Sequence, residues 1–314
     1  MRRTQLLALS LVVMVLLPNL LFARGSQETP PALKGPVTVA SKIDTEGALL
    51  GQMIVAMLEA NGFEAVDRTE FGPTDVIRKA IISGEIDIYP EYTGNGGFFF
   101  GTSDSDIWKN PQKGYEEVKR LDLEANDIVW LQPASANNTW AIAVRQDLAD
   151  QHGLKTLEDM ARYVNAGGDI KLAGSEEFTS RPDSLPAFEA AYGFSLRKDQ
   201  LLILSGGNTA MTEKAAAEGT DGVNFAMAYG TDGNLAALGL WVLEDTLGVQ
   251  PVYEPAPIIR RQVLDAYPEI ADILKPVFAS LDLVTLQSLN AKIAVEGRAA
   301  AAVALEYLKA RGFL

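Results

Sequence analysis

Apolar and polar positions alternate along the chain in two rhythms. Short apolar runs, such as 37–40 (VTVA) and 201–204 (LLIL), are typical of buried strands. Longer segments such as 45–61 carry their apolar residues three or four positions apart, which predicts a helix with one buried face. Asn61-Gly62 ends that segment, as expected at the C-terminal end of a helix.

Over the whole chain, the same pattern predicts an alternation of strands and helices. The predicted strands are 37–40, 65–68, 86–88, 140–144, 170–173, 201–204, 225–228 and 256–260. The predicted helices are 45–61, 74–83, 157–165, 185–192, 209–218, 269–280, 284–295 and 299–310. Strands separated by helices indicate parallel β-α-β units, so the predicted fold class is α/β, with mostly parallel sheets flanked by helices.

The alternation divides into two halves of similar rhythm, with breaks near 132–138 (QPASANN) and 248–251. If the chain crosses into a second lobe at the first break and returns at the second, lobe 1 is discontinuous. The predicted limits are then 37–136 and 249–314 for lobe 1, and 137–248 for lobe 2. Two crossings make a two-stranded hinge, an architecture that closes on a ligand held in the cleft between the lobes.

The N-terminal segment has the composition of an export signal. Residues 1–23 combine Arg2 and Arg3 with a long apolar run and end on Ala23, as a secretory signal peptide does. The alternative is an uncleaved N-terminal membrane helix. Residues 24–36 (RGSQETPPALKGP) are polar and rich in proline, which predicts a flexible leader. Because a lipoprotein signal needs a cysteine and the chain has none, we expect no lipid anchor and a protein that diffuses freely in the periplasm.

The composition argues against several classes of chemistry. The 314 residues include no cysteine and one histidine, His152, which excludes thiol nucleophiles, thiolate zinc sites and multi-histidine metal sites. No metal or cofactor is therefore expected. With 41 acidic and 27 basic side chains, the formal charge is -14, which argues against nucleic-acid binding. The short motif Ser195-x-x-Lys198 lies in a polar linker, and motifs that short arise by chance, so no enzyme is predicted.

The segment 83–100 (SGEIDIYPEYTGNGGFFF) concentrates aromatic, acidic and glycine residues at the end of a predicted strand. A core strand followed by a loop with buried rings explains the three phenylalanines at 98–100. It explains Tyr92 and the small polar residues after it less well. An aromatic residue followed by glycine and short polar residues at a strand end is typical of small-molecule sites in α/β folds.

Several segments together resemble the osmoprotectant-binding proteins of ABC importers, of the OpuAC and ProX type. These segments are Ser41-Lys42, 71–95 (FGPTDVIRKAIISGEIDIYPEYTGN), 137–144 (NNTWAIAV), 177–194 (EFTSRPDSLPAFEAAYGF), 229–245 (YGTDGNLAALGLWVLED) and 252–260 (VYEPAPIIR). They follow the family's order, and 84–94 (GEIDIYPEYTG) is a highly specific match. GNGGFFF is similar to a subset of the family linked to osmotic stress. The resemblance implies a type II periplasmic-binding-protein fold that captures glycine betaine, choline, carnitine or a similar quaternary amine.

The resemblance also implies an aromatic box for the quaternary ammonium. Such a nitrogen has no N–H, so ring faces must hold it, at about 0.5–2 kcal/mol for each ring. Matched on the family's motifs, the box consists of Tyr92, Trp140, Tyr229 and Tyr253. Relatives often carry Tyr where Trp140 stands, so this sequence enlarges one wall of the box.

At the other end of the site, the resemblance implies polar groups for the carboxylate of a betaine. It places Lys42 and Arg181 there as counter-charges. Asn138 comes from the NNT motif, and Asn95 stands where many relatives carry Thr. The change at Asn95 is expected to alter ligand preference or to weaken betaine binding. In a chain of net charge -14, two basic side chains converging on a cleft would be a local inversion of charge.

The predicted function is that of a monomeric periplasmic solute-binding protein that delivers a quaternary-ammonium osmoprotectant to an ABC permease. Two alternatives stay open. The same fold could bind a different zwitterion, such as an amino acid or a sulfur- or imidazole-containing betaine. Less expected is an extracytoplasmic hydrolase that uses a pair of carboxylates.

Overall fold

The computed structural model describes residues 33–206 and 208–314. The predicted signal peptide, 1–23, and most of the predicted leader, 24–36, lie outside the described residues. The first strand begins at Lys34, so the last three residues assigned to the leader belong to a strand instead. The reason is backbone pairing, since Lys34 lies opposite Phe63 of the next strand. Composition does not detect pairing of this kind.

The described residues form ten strands and thirteen α-helices. The strands are β1 (Lys34–Lys42), β2 (Phe63–Gly72), β3 (Ile88–Tyr92), β4 (Ile128–Trp130), β5 (Trp140–Arg145), β6 (Leu172–Ser175), β7 (Leu201–Leu204), β8 (Phe225–Tyr229), β9 (Leu240–Val242) and β10 (Pro255–Arg260). The helices are α1 (Thr45–Ala60), α2 (Thr74–Ser83), α3 (Asn95–Phe99), α4 (Pro111–Asn126), α5 (Gln146–His152), α6 (Leu157–Asn165), α7 (Glu176–Ser180), α8 (Leu185–Tyr192), α9 (Thr209–Glu218), α10 (Arg261–Ala266), α11 (Glu269–Ala279), α12 (Leu283–Ala294) and α13 (Ala300–Ala310). Within this part of the chain, no helix combines the length and apolar character needed to cross a membrane.

The strands form two five-stranded sheets. Sheet 1 has the order β2-β1-β3-β10-β4, and sheet 2 has the order β7-β6-β8-β5-β9. In each sheet four strands share one direction and one strand is reversed, which is β10 in sheet 1 and β5 in sheet 2. The predicted α/β class with mostly parallel sheets is confirmed. The two reversed strands are a feature that the alternation of strands and helices does not predict.

The reversed strands are the places where the chain enters one sheet from the other. The chain leaves sheet 1 after β4 and enters sheet 2 at β5, and it leaves sheet 2 after β9 and returns at β10. We call sheet 1 with its helices lobe 1, and sheet 2 with its helices lobe 2. The crossing segments, 131–139 and 243–254, contain both predicted breaks. This supports the proposed limits of 37–136, 137–248 and 249–314 for the parts of the lobes.

The two crossing segments are joined by hydrogen bonds. The backbone N–H of Asn138 donates to the carbonyl of Tyr253 (2.9 Å), and the N–H of Tyr253 donates to the side-chain oxygen of Asn137 (2.8 Å). Nearby, the N–H of Ala134 donates to the carbonyl of Pro255 (2.8 Å). Since Asn138 and Tyr253 are both predicted site residues, the connection between the lobes and the candidate site share residues.

Helix α1 lies in the core of lobe 1. It begins after Asp44, whose side chain accepts a hydrogen bond from the N–H of Gly47 (2.8 Å) and so caps the helix. Its buried residues form one apolar cluster with β1 and with the C-terminal helices α11, α12 and α13. These last helices therefore pack on lobe 1, although they follow lobe 2 in the sequence.

Helices α2, α6, α8 and α9 have the predicted limits. Helix α4 is not predicted, because its buried face consists of Gly114, Val118 and Asp122 rather than an apolar stripe. Strand β3 lies beyond the predicted 86–88 and continues through Pro90, because β10 pairs with it along its whole length. The sequence pattern therefore gives the limits of these four helices but misses α4, whose buried face offers only one apolar side chain.

Candidate functional site

A cavity lies between the lobes, next to the crossing segments. All eight predicted site residues line it: Lys42, Tyr92, Asn95, Asn138, Trp140, Arg181, Tyr229 and Tyr253. Further lining residues are ones that sequence reasoning does not place in a site: Ile43, Asp44, Pro73, Thr74, Glu177 and Gly206. Both lobes and both crossings contribute, so folding brings together residues that are far apart in the chain.

Two rings of the predicted box come from neighbouring strands of sheet 2. Trp140 begins β5 and Tyr229 ends β8, and the two residues lie opposite each other in the antiparallel pair. Their ring centroids are 4.7 Å apart, with the planes at 39°. Trp140 also packs against Phe178, with 5.2 Å between centroids. The three rings form an aromatic wall on lobe 2.

The other two rings lie at the end of β3 and in the second crossing. Tyr92 and Tyr253 are both buried, at 5% and 3% exposure. Two glycines that follow Tyr92 pack directly against aromatic rings. A Cβ on Gly94 would lie 2.8 Å from the ring of Tyr253, and a Cβ on Gly96 would lie 2.6 Å from the ring of Trp108. These glycines of the GNGG run therefore serve close packing of the backbone against aromatic rings.

A buried carboxylate, Glu46, links the site to the surrounding fold. It lies in the first turn of α1 and is 3% exposed. Its Oε1 accepts hydrogen bonds from the hydroxyl of Tyr92 (3.1 Å) and the side-chain amide of Asn138 (2.8 Å). Its Oε2 accepts a hydrogen bond from the side-chain amide of Asn290 in α12 (2.8 Å). Burial raises the pKa of Glu46 from 4.5 to about 7, although the hydrogen bonds act in the opposite direction.

Lys42 reaches the cavity at the end of β1, but its charge is already paired. Its ammonium lies 2.7 Å from a carboxylate oxygen of the fully buried Glu91. The same ammonium lies 4.8 Å from the ring centroid of Tyr92. Glu91 also accepts hydrogen bonds from the backbone N–H of Tyr92 and the side-chain amide of Asn95, both at 2.7 Å. The predicted counter-charge is therefore part of an internal network.

Arg181, just after α7, has more partners still. Its Nε and Nη2 donate to the two carboxylate oxygens of Asp183 (2.8 and 2.7 Å). Its Nη1 donates to Glu177 (2.8 Å) and to the side-chain oxygen of Asn95 (3.0 Å). Its guanidinium carbon lies 4.1 Å from the ring centroid of Phe98. Because Asn95 and Phe98 belong to α3 of lobe 1, this cluster joins the two lobes across the cleft.

The expected inversion of charge at the cleft is wrong. Two basic side chains line the cavity, but Asp44 and Glu177 line it with them. Each basic group is also paired with a buried acid. The acids accompany the basic residues in the sequence, with Asp44 two positions after Lys42 and Asp183 two positions after Arg181. A motif that names the basic residues does not show which partners they have after folding.

Asp44, Glu46 and Glu177 are the functional candidates that the sequence reasoning misses. Burial raises the pKa of Asp44, while its hydrogen bond from Gly47 and the charge of Lys42 act in the opposite direction. A signal for Asp44 exists, since an Asp directly between a strand and a helix is a typical N-cap. Nothing in the sequence pattern shows that this cap also faces the rings of a site.

The chemistry available in the cavity is that of binding. Burial raises the pKa of the Tyr92 and Tyr229 phenols well above their usual range, so both rings stay neutral. In residues 33–206 and 208–314, no group of three or more histidine, aspartate or glutamate side chains is placed to hold a metal ion. Neutral ring faces, amides and paired charges suit a small ligand that carries a charge of its own.

The sequence matches a known family over residues 35–310, described as the substrate-binding domain of ABC-type glycine betaine transport systems. The chain belongs to this family. It is thus a substrate-binding protein of ABC transport, as the resemblance in its motifs predicts. Substrate-binding proteins of ABC importers act outside the cytoplasm together with a permease, which is a role in transport rather than in catalysis.

Individual relatives agree with this assignment. The glycine betaine-binding protein YehZ of Escherichia coli is 60% identical over 284 residues, which cover 90% of this chain and 93% of that protein. A glycine-betaine-binding protein of Pseudomonas aeruginosa is 30% identical over 279 residues, which cover 86% of each chain. Family membership thus rests on sequence similarity over nearly all of the described residues.

Solved structures agree on the fold. The apo structure of Escherichia coli YehZ, 60% identical, matches with a TM-score of 0.65 and covers 90% of this chain and 100% of that chain. A crystal structure of a glycine betaine/carnitine/choline ABC transporter protein, 21% identical, matches with a TM-score of 0.68 and covers 88% of this chain and 99% of that chain. The predicted type II two-lobed fold is confirmed.

Proposed function

We propose that this chain is a periplasmic solute-binding protein that captures a quaternary-ammonium osmoprotectant between its lobes and delivers it to an ABC permease. Glycine betaine, choline and carnitine are the ligands of this class that we propose. The observation that carries the proposal is the convergence of four aromatic side chains from both lobes and a crossing on one cavity. Relatives named for glycine betaine or carnitine binding support the same class of ligand.

In this proposal the ammonium lies against the rings of Tyr92, Trp140, Tyr229 and Tyr253. The polar end of the ligand lies near Lys42, Asn95, Asn138 and Arg181. Each ring contributes about 0.5–2 kcal/mol to holding a cation that has no N–H. Seven of the eight side chains are buried and Tyr229 is half-buried, which limits competition from water and strengthens these electrostatic contacts.

Ligand binding is coupled to the arrangement of the lobes in this proposal. Arg181 of lobe 2 already contacts Asn95 and Phe98 of lobe 1, and the ring pair Trp140–Tyr229 faces the cavity from lobe 2. A ligand that touches both lobes favours the closed arrangement by the difference in its affinity for the closed and open forms. The permease would then recognise the closed form.

We also propose the cellular context that the N-terminal sequence indicates. Residues 1–23 would direct export, and the protein would act as a monomer in the periplasm without a lipid anchor. The extracytoplasmic role of the family supports this location.

Thermal unfolding and titration calorimetry test the ligand. Glycine betaine, choline and carnitine are added to the wild-type protein and to the variants Tyr92→Ala and Trp140→Ala. We expect a rise in Tm with at least one of the three ligands, and a loss of affinity of about 2- to 30-fold for each missing ring. Trp241→Ala is the matched control, because Trp241 lies on β9 and is 51% exposed.

The outcomes separate the ligand from the fold. If no quaternary amine changes the Tm or produces heat of binding, the ligand assignment is wrong, although membership of the family stands. If only amino acids or imidazole-containing zwitterions bind, the same fold serves a different ligand. If Trp241→Ala weakens binding as much as Trp140→Ala does, the loss is not specific to the box.

A further inference from the structure

We propose that Asp44 is a specificity-determining residue of this site, and that together with Glu177 it makes the cavity discriminate in favour of a quaternary amine with net positive charge and against a zwitterionic betaine. The inference rests on the proposed function and concerns the ligand class of the same site. It adds a carboxylate, which the family resemblance does not assign, to the groups that face the ligand.

The first observation is the position of Asp44. Its side chain lines the cavity together with the four rings and is 9% exposed. One carboxylate oxygen accepts the capping hydrogen bond from Gly47. Among the residues that the structure describes, no basic side chain forms a salt bridge with this carboxylate, whereas Lys42 and Arg181 are each paired with another acid. A largely buried carboxylate that lines an aromatic cavity attracts a cation.

The second observation is the electrostatic reach of this carboxylate. Burial is the largest cause of the raised pKa of the Tyr229 phenol, and the charge of Asp44 is the second largest. The charge of Asp44 also contributes to the raised pKa of the Tyr92 phenol. Asp44, Tyr92 and Tyr229 line one cavity, so the carboxylate acts on two of the rings proposed to hold the ammonium. Ring faces and a carboxylate act in the same direction on a positive charge.

The third observation is the state of the two basic groups. Lys42 pairs with Glu91 at 2.7 Å, and Arg181 holds Asp183 through two hydrogen bonds as well as Glu177. A ligand carboxylate would have to compete with these internal acids for the same N–H groups. Choline has no carboxylate and avoids that competition.

The fourth observation is the placement of the acids on opposite sides of the cleft. Asp44 follows β1 of lobe 1, and Glu177 lies in α7 of lobe 2. Both line the cavity, and the charge of Glu177 acts to raise the pKa of Asp44. Glu177 is also paired with Arg181 (2.8 Å), so its charge is partly neutralised before a ligand binds. Both carboxylates still favour a cation in the cavity over a zwitterion, which brings a negative charge of its own.

The test compares two ligands that share one head group. Choline and glycine betaine both carry a trimethylammonium group, and they differ in ending on a hydroxyl or a carboxylate. The dissociation constants of both are measured by calorimetry for the wild-type protein, Asp44→Asn and Glu177→Gln. Asn retains a side-chain oxygen that caps α1, and the Tm of each variant without ligand reports whether the fold is intact.

The matched controls are Asp75→Asn and Glu176→Gln. Both remove one negative charge from an exposed side chain that lines the adjoining cavity but not the site cavity itself. In Asp44→Asn we expect the ratio of the Kd for choline to the Kd for glycine betaine to rise by about tenfold, because one buried charge is removed beside the cation. Glu177→Gln should shift the ratio in the same direction, and the controls should leave it unchanged.

Three results would overturn the inference. The ratio could stay unchanged in Asp44→Asn and Glu177→Gln, both ligands could lose affinity by the same factor, or the controls could shift the ratio as strongly as Asp44→Asn does. Failure of the proposed function looks different, because the wild-type protein then binds neither ligand. A folded wild-type protein that binds both ligands, with a ratio insensitive to Asp44, refutes this inference alone.

Discussion

Glu46 of α1 accepts hydrogen bonds from Tyr92 of the box, from Asn138 of the first crossing and from Asn290 of α12. The variant Glu46→Gln tests how much the buried charge of Glu46 lowers the free energy of unfolding. Glutamine has nearly the same size and retains one acceptor oxygen for Tyr92 and Asn138. It removes the ionisable group. The variant therefore isolates the contribution of Glu46 to the pH dependence of stability.

The magnitude follows from the pKa. Burial raises the pKa of Glu46 from 4.5 to about 7 in the folded protein. Below pH 4.5 the group is protonated in both the folded and the unfolded state. Between pH 4.5 and about 7 only the folded state keeps the proton, so the free energy of unfolding falls as the pH rises, and it levels off above about 7. At about 1.4 kcal/mol for each pKa unit, the total loss is roughly 3 kcal/mol.

The assay is urea unfolding at pH 5 and pH 8. We expect the wild-type protein to lose roughly 2–3 kcal/mol more of its free energy of unfolding between these two pH values than Glu46→Gln does. Other buried acids with a raised pKa, such as Asp44 and Glu213, are present in both proteins and cancel in the comparison. Glu59→Gln, an exposed position at the end of α1, is the control and should behave like the wild-type protein. If Glu46→Gln and the wild-type protein lose the same free energy, the buried carboxylate does not titrate in this window and the reasoning is refuted.

Two further predictions concern packing. Asp122→Ala is expected to lower the free energy of unfolding by about 3–5 kcal/mol in urea titrations, because it leaves the buried guanidinium of Arg78, now held at 2.8 and 2.5 Å, without its partner. A loss below about 1 kcal/mol would contradict this. Gly233→Ala is expected to lower the Tm and weaken ligand binding, because its Cβ would clash with the backbone carbonyl oxygen of Gln287 in α12. Gly114→Ala, where the nearest atom to a Cβ is 3.5 Å away, is the control and should not lower the Tm; equal behaviour of the two variants would show that the loop at Gly233 moves aside freely.

Much of the secondary structure follows from local pattern. Helix α2 ends at Ser83, as predicted, because Gly84 adopts the left-handed conformation with φ of +81° that favours glycine. Helix α4 does not follow, because its buried face depends on Asp122, an acid whose burial makes sense only with Arg78 and Trp130 beside it. Local pattern reports apolar burial and caps, and it is silent on polar burial that depends on a distant partner.

The sequence by itself determined the family, the α/β class and the eight side chains of the candidate site, because each is carried by a contiguous motif or a local periodicity. Only the tertiary structure decided how those side chains are charged and paired. In the folded chain Lys42 pairs with Glu91, and Arg181 pairs with Asp183. Asp44 and Glu177 line the same cavity from opposite lobes. Electrostatic interactions depend on the distance between groups in space and on their burial. Because this chain crosses twice between two sheets, neither quantity follows from the separation of two residues along the sequence.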